Sequence, residues 1–289
     1  MIAGMAHTVV PEAEEILDKE FAVLDKGFVR LVDYMGGDDR IVQSARVSYG
    51  AGTKSYRQDS GLIRYLLRNE HTSPFEQVVL TFHAKMPIFV ARQWVRHRTA
   101  RLNEISGRYS VMKDEFYLPE SDKVSAQSQD NKQGRSSEAM DAAVVQDVVQ
   151  KLEQGQRTAY REYEALIDQG VARELARINL PLSLYTEWYW QIDLHNLLHF
   201  LRLRLDPHAQ YEIRAYAEIM LDIARKVCPI AVEAFEEYRR GAVTFSAREF
   251  QAVQHMLSGS TIEAAMDKAH LEGKDRERFQ QKIADGCQL

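Results

Sequence analysis

The amino-acid sequence predicts an α+β fold, with a sheet flanked by long helices in a single domain that carries helical appendages. Segments with alternating apolar and polar residues, or with dense β-branched and aromatic residues, occur at 28–35, 78–85 and 182–192. These patterns are typical of strands. From residue 144 onward most segments instead carry apolar residues three and four positions apart, which indicates amphipathic helices. This mixture favours the α+β class.

The strands are predicted from three segments of different character. Residues 28–35 (FVRLVDYM) form a largely apolar run, and the turn signal GGDD follows them directly. Residues 78–85 alternate strictly, with Val78, Leu80, Phe82 and Ala84 on one face, as in a half-buried strand. Residues 182–192 (LSLYTEWYWQI) are rich in aromatic residues. We also expect residues 108–117 to be extended.

The helices are predicted from apolar periodicity and from capping signals. Asp193 is placed to cap a helix that continues to residue 205, and Asp206-Pro207 to cap the next, which ends near residue 227. Ser260 and Glu263 form a capping-box pattern that opens a charged helical segment. The other predicted helices cover residues 41–48, 61–70, 87 to 97 or 98, 144–167, 172–178 and 229–238.

The chain divides into three predicted regions. Residues 1–26 form a short helical lead-in, residues 27–248 form the main domain, and residues 249–289 form a helical C-terminal tail. Within the main domain, residues 121–137 contain Val124 as their only large apolar side chain. Such a segment has too little apolar surface to become ordered by burial. We therefore expect a mobile insertion at about 121–137.

The composition excludes several classes of protein. The 289 residues are 45% apolar and 27% charged, which is typical of globular proteins. No stretch approaches the roughly 18 uninterrupted apolar residues of a membrane helix, and no basic stretch leads into an apolar one at the N-terminus. Cys228 and Cys287 are the two cysteines, too few for a disulfide framework or a cysteine zinc site. We therefore expect a cytoplasmic protein with no membrane partner.

Residues 93–110 (QWVRHRTARLNEISGRYS), here called the cationic segment, concentrate positive charge in a chain whose formal net charge is −5. Its arginines, opposed only by Glu104, are Arg96, Arg98, Arg101 and Arg108. Gln93, Arg96 and His97 lie three and four residues apart, so a helix would present them on one face. Guanidinium groups stay charged and bind phosphate oxygens in pairs. The segment therefore predicts binding of a phosphate-bearing nucleotide.

Other interpretations of these residues stay open at this point. Cations also gather at helix C-termini, where they complement the helix dipole. The cationic segment, with Tyr109, Trp188 and Trp190 for stacking, fits a nucleic-acid-binding module, although such proteins are usually basic overall. His195 and His199 have the i, i+4 spacing of zinc ligands, but the residue after His195 is not the glutamate of the metalloprotease pattern.

Two further patterns bear on a nucleotide site. Residues 71–76 (HTSPFE) contain Ser73 and Glu76 in the spacing of a helix cap. A strand follows almost at once, so a loop that presents small polar groups to a ligand is an equally good interpretation. The chain has neither G-x-G-x-x-G nor G-x-x-x-x-G-K-[ST], so phosphates are expected to be held by side chains rather than by a glycine-rich loop.

The string Arg96-His97-Arg98, followed after seven residues by Ser106, resembles the signature of the flavin-dependent thymidylate synthases. Further matches lie in order between about residues 28 and 240, with the insertion excepted. They are Ala45-Arg46-Val47-Ser48, HTSPFE at 71–76, Gln93-Trp94, Asn103-Glu104-x-Ser106-Gly107-Arg108-Tyr109-Ser110, Arg177-x-x-Leu180-Pro181 and Phe200-Leu201-x-Leu203-Arg204-x-Asp206-x-His208-Ala209-Gln210-x-Glu212. So many ordered matches make the resemblance specific.

The resemblance implies an enzyme that converts dUMP to dTMP without a catalytic cysteine. Methylenetetrahydrofolate would supply the carbon and NADPH would reduce bound FAD, in a homotetramer with active sites at subunit interfaces and no nucleic-acid partner. Residues 27–248 would be the catalytic domain. By motif match, dUMP would be bound by Gln93, Arg96, Glu104, Ser106, Gly107, Arg108, Arg177 and Arg204. FAD would be bound by Ser73, Arg96, His97, Arg98, Glu104, Asp193, His195 and His199.

The resemblance gives Arg204 the catalytic role, in which its charge favours ionisation at uracil N3 and makes C5 a better nucleophile. A fixed cation stabilises a developing anion most effectively in a dry site. Three positions depart from the family pattern, because Asp193 stands where Asn is usual, His195 where Arg is common, and His199 where Asn or His occurs. A carboxylate gained at 193 and a cation lost at 195 predict weaker affinity for an anionic flavin.

Overall fold

The computed structural model of the protein describes residues 9–47, 56–128 and 134–285. In chain order its strands are β1 (Phe21–Val23), β2 (Gly27–Met35), β3 (Val79–Pro87), β4 (Arg101–Glu104), β5 (Ser125–Gln127), β6 (Arg135–Ala139) and β7 (Tyr185–Asp193). Five of them form an antiparallel sheet in the order β1-β2-β3-β7-β4, and β5 pairs with β6.

Helices precede, interrupt and follow the strands. In chain order the α-helices are α1 (Pro11–Glu14), α2 (Asp38–Arg46), α3 (Tyr56–Arg68), α4 (Ile88–Trp94), α5 (Ala142–Asp168), α6 (Arg173–Ala176), α7 (Leu194–Arg204), α8 (Tyr211–Val227), α9 (Pro229–Phe235), α10 (Ala247–Leu257), α11 (Ile262–Lys268) and α12 (Gly273–Asp285). Among them α4, α7 and α8 contact the large sheet.

Two strands pass directly into the helices that carry the cationic residues. β3 leads into α4 through Pro87, whose φ of −61° already suits a helix start. β7 leads into α7 through Asp193, whose carboxylate accepts a hydrogen bond from the backbone N–H of Asn196 at 2.9 Å. Because β3 and β7 are antiparallel, α4 and α7 start from opposite ends of the sheet. Their later residues meet at Trp94 and Phe200, whose ring centroids lie 5.2 Å apart.

An aromatic core holds α4 against β7. The Trp94 ring is fully buried, and its centroid lies 5.4 Å from Trp188, 5.3 Å from Trp190 and 5.9 Å from Tyr216. Complete burial of a large apolar side chain stabilises a fold by about 1.5–3 kcal/mol. The cluster therefore fixes the end of α4, which is where the cationic segment begins.

Most of the predicted elements are confirmed, with ends shifted by a few residues. β2, β3 and β7 correspond to the predicted strands at 28–35, 78–85 and 182–192, and α5 and α7 to the predicted helices at 144–167 and 193–205. The mixed α/β class is therefore confirmed. Assembly into a homotetramer stays a prediction.

Three elements differ from the sequence-based expectation. The lead-in is not simply helical, because β1 lies within it and pairs with β2. β4 has no counterpart among the predicted strands and joins the free edge of β7. Residues 108–117, expected to be extended, instead form a turn at 108–110 and then an irregular segment with an isolated bridge from Phe116 to Leu184. β1 forms a hairpin with the neighbouring β2, whereas pairing with segments far along the chain decides the structure of β4 and of Phe116. All of these segments are too short to show a clear periodicity.

The predicted caps of α8 and α11 are also wrong. Gln210 rather than Asp206-Pro207 precedes α8, and Thr261 rather than the residue before it caps α11. The carboxylate of Asp206 accepts a hydrogen bond from the backbone N–H of His208 at 2.8 Å. Short polar side chains stabilise turns in this way as readily as they cap helices, so sequence spacing alone does not distinguish the two uses.

The segment at about 121–137, expected to be a mobile insertion, contains paired strands in its described part; its mobility stays a prediction. β5 and β6 pair antiparallel, with Ser125 opposite Ala139, while residues 129–133 lie outside the described residues. Charge rather than apolar burial holds this segment, because the guanidinium group of Arg135 donates a hydrogen bond to the buried carboxylate of Glu212. Hydrogen bonds to charged groups contribute about 1.5–3 kcal/mol, which offsets the lack of apolar side chains.

The chain divides into two compact units, one that ends at Val232 and one that starts at Glu233. The second unit contains α10 to α12, the helices expected in the C-terminal tail. Its core residues are Ala252, Ala265, Met266, Ala269, Leu271 and Phe279. Within the described residues, no helix has both the length and the apolar character needed to span a lipid bilayer.

Candidate functional site

Arg204, at the end of α7, contacts two residues of the cationic segment. Its Nε donates a hydrogen bond to Nε2 of His97 at 3.0 Å. Its Nη2 lies 3.4 Å from the backbone oxygen of Gln93. A guanidinium group only donates, so Nε2 of His97 carries a lone pair and the ring proton lies on Nδ1. The guanidinium of Arg204 is thereby held in one orientation at the junction of α4 and α7.

The histidines at this junction are neutral around pH 7. The pKa of His97 is lowered to about 4, mainly by burial and then by the charges of Arg204 and His199. The pKa of His199 is also lowered, by burial and then by Arg202 and His195. Burial lowers the pKa of Arg204 as well, but an arginine stays charged in proteins. Arg204 is therefore the fixed cation here, and His97 is a neutral acceptor beside it.

The side chain of Gln93 is held by a residue that the sequence-based site assignment did not include. Its Nε2 donates to Oε1 of Gln210, in the turn between α7 and α8. Nε2 of Gln210 in turn donates to Oε2 of Glu212 at 2.8 Å. Gln210 lies in the matched string His208-Ala209-Gln210-x-Glu212, which is the signal that sequence analysis offered for it.

Glu104 ends the edge strand β4, all of whose residues are exposed. It lies opposite Trp188 in the register with β7. Its carboxylate accepts a hydrogen bond from the hydroxyl of Thr186, a second partner that the sequence gave no reason to select. The strand therefore presents Glu104 on an open surface, while Thr186 restricts its rotamer.

Residues 106–110 form a tight turn against the segment that contains Arg177. The backbone oxygen of Ser106 accepts hydrogen bonds from the N–H groups of Tyr109 and Ser110, at 3.0 and 3.1 Å. Gly107 is buried, and a β-carbon there would lie 2.9 Å from Sδ of Met112 and 3.1 Å from Cδ of Arg177. The absence of a side chain at position 107 thus lets Arg177 approach the turn.

Arg108 points into solvent beside α6. Its Nε lies 3.3 Å from Oε2 of Glu174, and both side chains are 56% exposed. An exposed pair of this kind contributes at most about 1 kcal/mol. Glu174 is therefore a weak partner that an anionic ligand can replace.

Arg96 and Arg98 are exposed, and neither has an ion-pair partner among the described residues. Ser73 is also exposed, in the loop before the 3-10 turn Phe75–Gln77. Asp193 is engaged within its own helix, because both carboxylate oxygens accept hydrogen bonds from the side-chain amide of Asn196 at 2.8–3.0 Å. Its negative charge is thus directed at a helix N-terminus, where it is favourable.

The predicted site residues form two groups with direct contacts inside each. One contains Gln93, His97 and Arg204, with the ring of His199 6.0 Å from that of His97. The other contains the Ser106–Arg108 turn and Arg177. In the part of the chain that the structure describes, no side-chain hydrogen bond or ion pair joins Ser73, Arg96, Arg98, Glu104 or Asp193 to either group. No cluster of three or more potential metal ligands occurs in that part either.

The fold and this arrangement place several arginines and neutral histidines on one mixed α/β unit, a combination of charges that suits an anionic small molecule. The family model described as thymidylate synthase complementing protein matches residues 30–230. The model described as the thymidylate synthase ThyX C-terminal domain matches residues 243–289.

Individual relatives agree with the family models. A flavin-dependent thymidylate synthase of Treponema denticola is 60% identical over 273 residues, which cover 94% of this chain and 100% of the relative. One of Treponema pallidum is 58% identical over 285 residues, covering 99% and 91%. A solved UMP/dUMP methylase PolB from Streptomyces cacaoi, bound with 5-Br UMP, superposes with a TM-score of 0.68 at 34% identity, covering 75% of this chain and 96% of that one. The chain belongs to the flavin-dependent thymidylate synthases, which methylate dUMP.

Proposed function

We propose that this enzyme converts dUMP to dTMP with methylenetetrahydrofolate as the carbon donor and with FAD that NADPH reduces. The observation that carries the proposal is the fixed guanidinium of Arg204, held by His97 and by the backbone of Gln93. In the family pattern these residues contact the pyrimidine nucleotide and the flavin. A cation with one fixed orientation is what stabilisation of a uracil anion requires.

The phosphate of dUMP would be held by the turn at Ser106–Arg108 together with Arg177. The packing of Arg177 on Gly107 supports this assignment, because it places the side chain of Arg177 beside a turn that carries a hydroxyl group. The weak pair between Arg108 and Glu174 supports it as well, since a phosphate dianion would compete successfully for Arg108. Gln93, Arg96, Glu104 and Arg204 would contact the remainder of the nucleotide.

Arg204 would act on the uracil ring. Its charge would stabilise negative charge that develops when N3 loses its proton, and electron density would rise at C5. His97 would hold Arg204 in place without itself attracting the uracil anion, because its imidazole is neutral. Burial strengthens such an interaction, since electrostatic effects increase as water is excluded.

The exposed arginines fit a flavin with an anionic pyrophosphate. Arg96 and Arg98 lack ion-pair partners among the described residues, so their charges are available to that group. His97, His199, His195, Ser73 and Glu104 would provide hydrogen-bonding groups. Asp193 would repel the anion less than an isolated carboxylate, because the hydrogen bonds from Asn196 and the positive end of the helix dipole partly offset its charge. When bound, the reduced flavin supplies the electrons that turn a methylene group into a methyl group.

A cysteine nucleophile has no place in the proposed reaction. Burial raises the pKa of the Cys228 thiol well above its ordinary value, with further raising by nearby Asp38 and Asp39. The thiolate is the nucleophilic form, so a fully buried thiol with a raised pKa is poorly suited to that role. Cys287 lies outside the described residues.

The protein would act as a cytoplasmic homotetramer whose active sites lie between subunits. One observation supports shared sites. The edge beside β4 exposes Leu102, Ile105 and Tyr109, at 40%, 41% and 76%. Apolar side chains grouped on a surface are typical of interfaces.

The proposal is tested with Arg204→Ala and the control Arg202→Ala, which lies on the exposed side of the same helix. Formation of dTMP is followed by tritium release from dUMP labelled at C5, and NADPH oxidation by absorbance. We expect Arg204→Ala to abolish tritium release while NADPH oxidation by the flavin-loaded variant persists. Equal loss of both activities would instead assign Arg204 to flavin binding or folding, and a wild-type protein that takes up no FAD would refute the flavin assignment.

A further inference from the structure

A chain of hydrogen bonds connects Gln93 to a fully buried carboxylate. Glu212 is 0% exposed. Its Oε1 accepts hydrogen bonds from the hydroxyl of Tyr117 at 3.0 Å and from the guanidinium of Arg135. Its Oε2 accepts one from Nε2 of Gln210 at 2.8 Å, and Oε1 of Gln210 accepts one from Nε2 of Gln93. These five residues are called the Glu212 network below.

The carboxylate fixes the direction of every bond in this network. Burial by itself raises the pKa of Glu212, but the hydrogen bond and the charge of Arg135 outweigh it, so the net pKa is lowered. An ionised carboxylate only accepts hydrogen bonds. Gln210 must therefore turn its NH2 group toward Glu212 and its carbonyl toward Gln93. Gln93 must then offer its own NH2 group to Gln210.

The remaining end of the Gln93 amide is its carbonyl oxygen. No donor from the described residues reaches Oε1 of Gln93, and the side chain is only partly buried, at the junction that also holds Arg204. We propose that Glu212 and Gln210 are positioning residues that hold Gln93 with its carbonyl oxygen toward dUMP, as an acceptor for one N–H or O–H group of the substrate. This inference rests on the proposed contact between Gln93 and dUMP.

dUMP has two candidate donors for such an acceptor, N3–H of the uracil and the 3′-hydroxyl of the deoxyribose. An amide with free rotation would present NH2 or carbonyl with similar ease, so it would select neither donors nor acceptors. The Glu212 network removes that freedom before the substrate arrives, and preorganisation of this kind increases affinity. Arg135 links the β5–β6 segment to the site, because its positive charge balances the buried carboxylate of Glu212.

The decisive variant is Glu212→Gln in the flavin-loaded enzyme. A glutamine at 212 can donate to Gln210, so Gln210 and Gln93 can both turn round and present NH2 to the substrate donor. We expect the Kd for dUMP to rise about tenfold, the effect of roughly one lost hydrogen bond. Tyr117→Phe is the matched control, because it removes one bond to Glu212 without reversing any other, and its Kd should stay within about twofold of wild type. An equal rise in both variants would overturn the inference.

Substrate analogues identify the donor that Gln93 recognises. 2′,3′-Dideoxy-UMP lacks the 3′-hydroxyl, and N3-methyl-dUMP lacks N3–H. One of the two analogues lacks the donor that Gln93 accepts from. The loss of affinity for that analogue, relative to dUMP, should be smaller in Glu212→Gln than in the wild-type enzyme, because the variant has already lost the contact with Gln93. Additive losses for both analogues would overturn the inference.

Two more variants separate the possible failures. Gln210→Leu interrupts the Glu212 network while Glu212 keeps its bonds to Arg135 and Tyr117. This variant therefore decides the outcome if Glu212→Gln does not fold. Its losses of affinity for dUMP and for the recognised analogue should be non-additive, as in Glu212→Gln. Gln93→Ala tests the premise. If Gln93→Ala leaves the Kd for dUMP unchanged, the proposed Gln93 contact is wrong. If Gln93→Ala weakens binding but Gln210→Leu and Glu212→Gln do not, only the positioning role is refuted.

Discussion

Replacement of Arg204 by methionine should raise the pKa of His97. The guanidinium and the imidazole are in direct contact, 3.0 Å apart at Nε and Nε2, and the charge of Arg204 is the second cause, after burial, of a pKa lowered to about 4. Two unit charges 4 Å apart interact by about 1 kcal/mol in water and about 4 kcal/mol near a protein surface. His97 is only half-buried, so solvent screening favours the lower part of this range. We therefore expect a rise of about one pKa unit, from about 4 to about 5.

The pKa is measured from the imidazole resonances in NMR spectra of protein labelled at histidine, with His97 assigned by comparison with His97→Gln. Arg202→Met is the matched control, since Arg202 lies on the same helix but affects His199 and not His97. The control should raise the pKa of His199 and leave that of His97 unchanged. If His97 of the wild-type protein titrates near 6.5, or if both arginine variants shift it equally, the contact between His97 and Arg204 does not exist as described.

Three other outcomes follow from buried groups. Gly27→Ala should destabilise the fold by more than about 2 kcal/mol, because the new β-carbon would lie 2.0 Å from the Tyr216 hydroxyl. Gly155→Ala should stabilise the fold by up to about 1 kcal/mol, because its β-carbon meets no atom within 4 Å in the middle of α5. Thermal melting that ranks the two variants in the reverse order would contradict this packing. Cys228→Ala should retain dTMP synthesis, since a thiol with a raised pKa is not a nucleophile; a folded, flavin-loaded variant without tritium release would require a cysteine mechanism. The unfolded chain binds a proton at His97 below about pH 6.5, and the folded chain only below about pH 4. The free energy of unfolding should therefore increase with pH between these two values. Urea melts of His97→Gln should show a smaller increase, and an equal increase in both proteins would contradict the lowered pKa of His97.

The sequence by itself determined the local elements of this protein. Alternation over 78–85 is a property of neighbouring residues, and so is the cap at Asp193; both describe the observed β3 and α7. The arginines of the cationic segment and the order of the matched motifs likewise require no knowledge of distant contacts, so they indicated the family and the candidate residues. Periodicity and motif spacing are read along the chain, which is why these features were accessible.

Only the tertiary structure decided which distant residues meet. Arg204 contacts His97 across 107 positions, and Gln210 contacts Gln93 across 117. Such contacts depend on how α4 and α7 pack on β7, and no local pattern encodes that packing. The segment that contains β5 and β6 makes the same point, because it has few apolar side chains and yet forms paired strands in its described part. Its partner for Arg135, the carboxylate of Glu212, lies 77 positions away, and a buried charge acquires its partner only when the chain has folded.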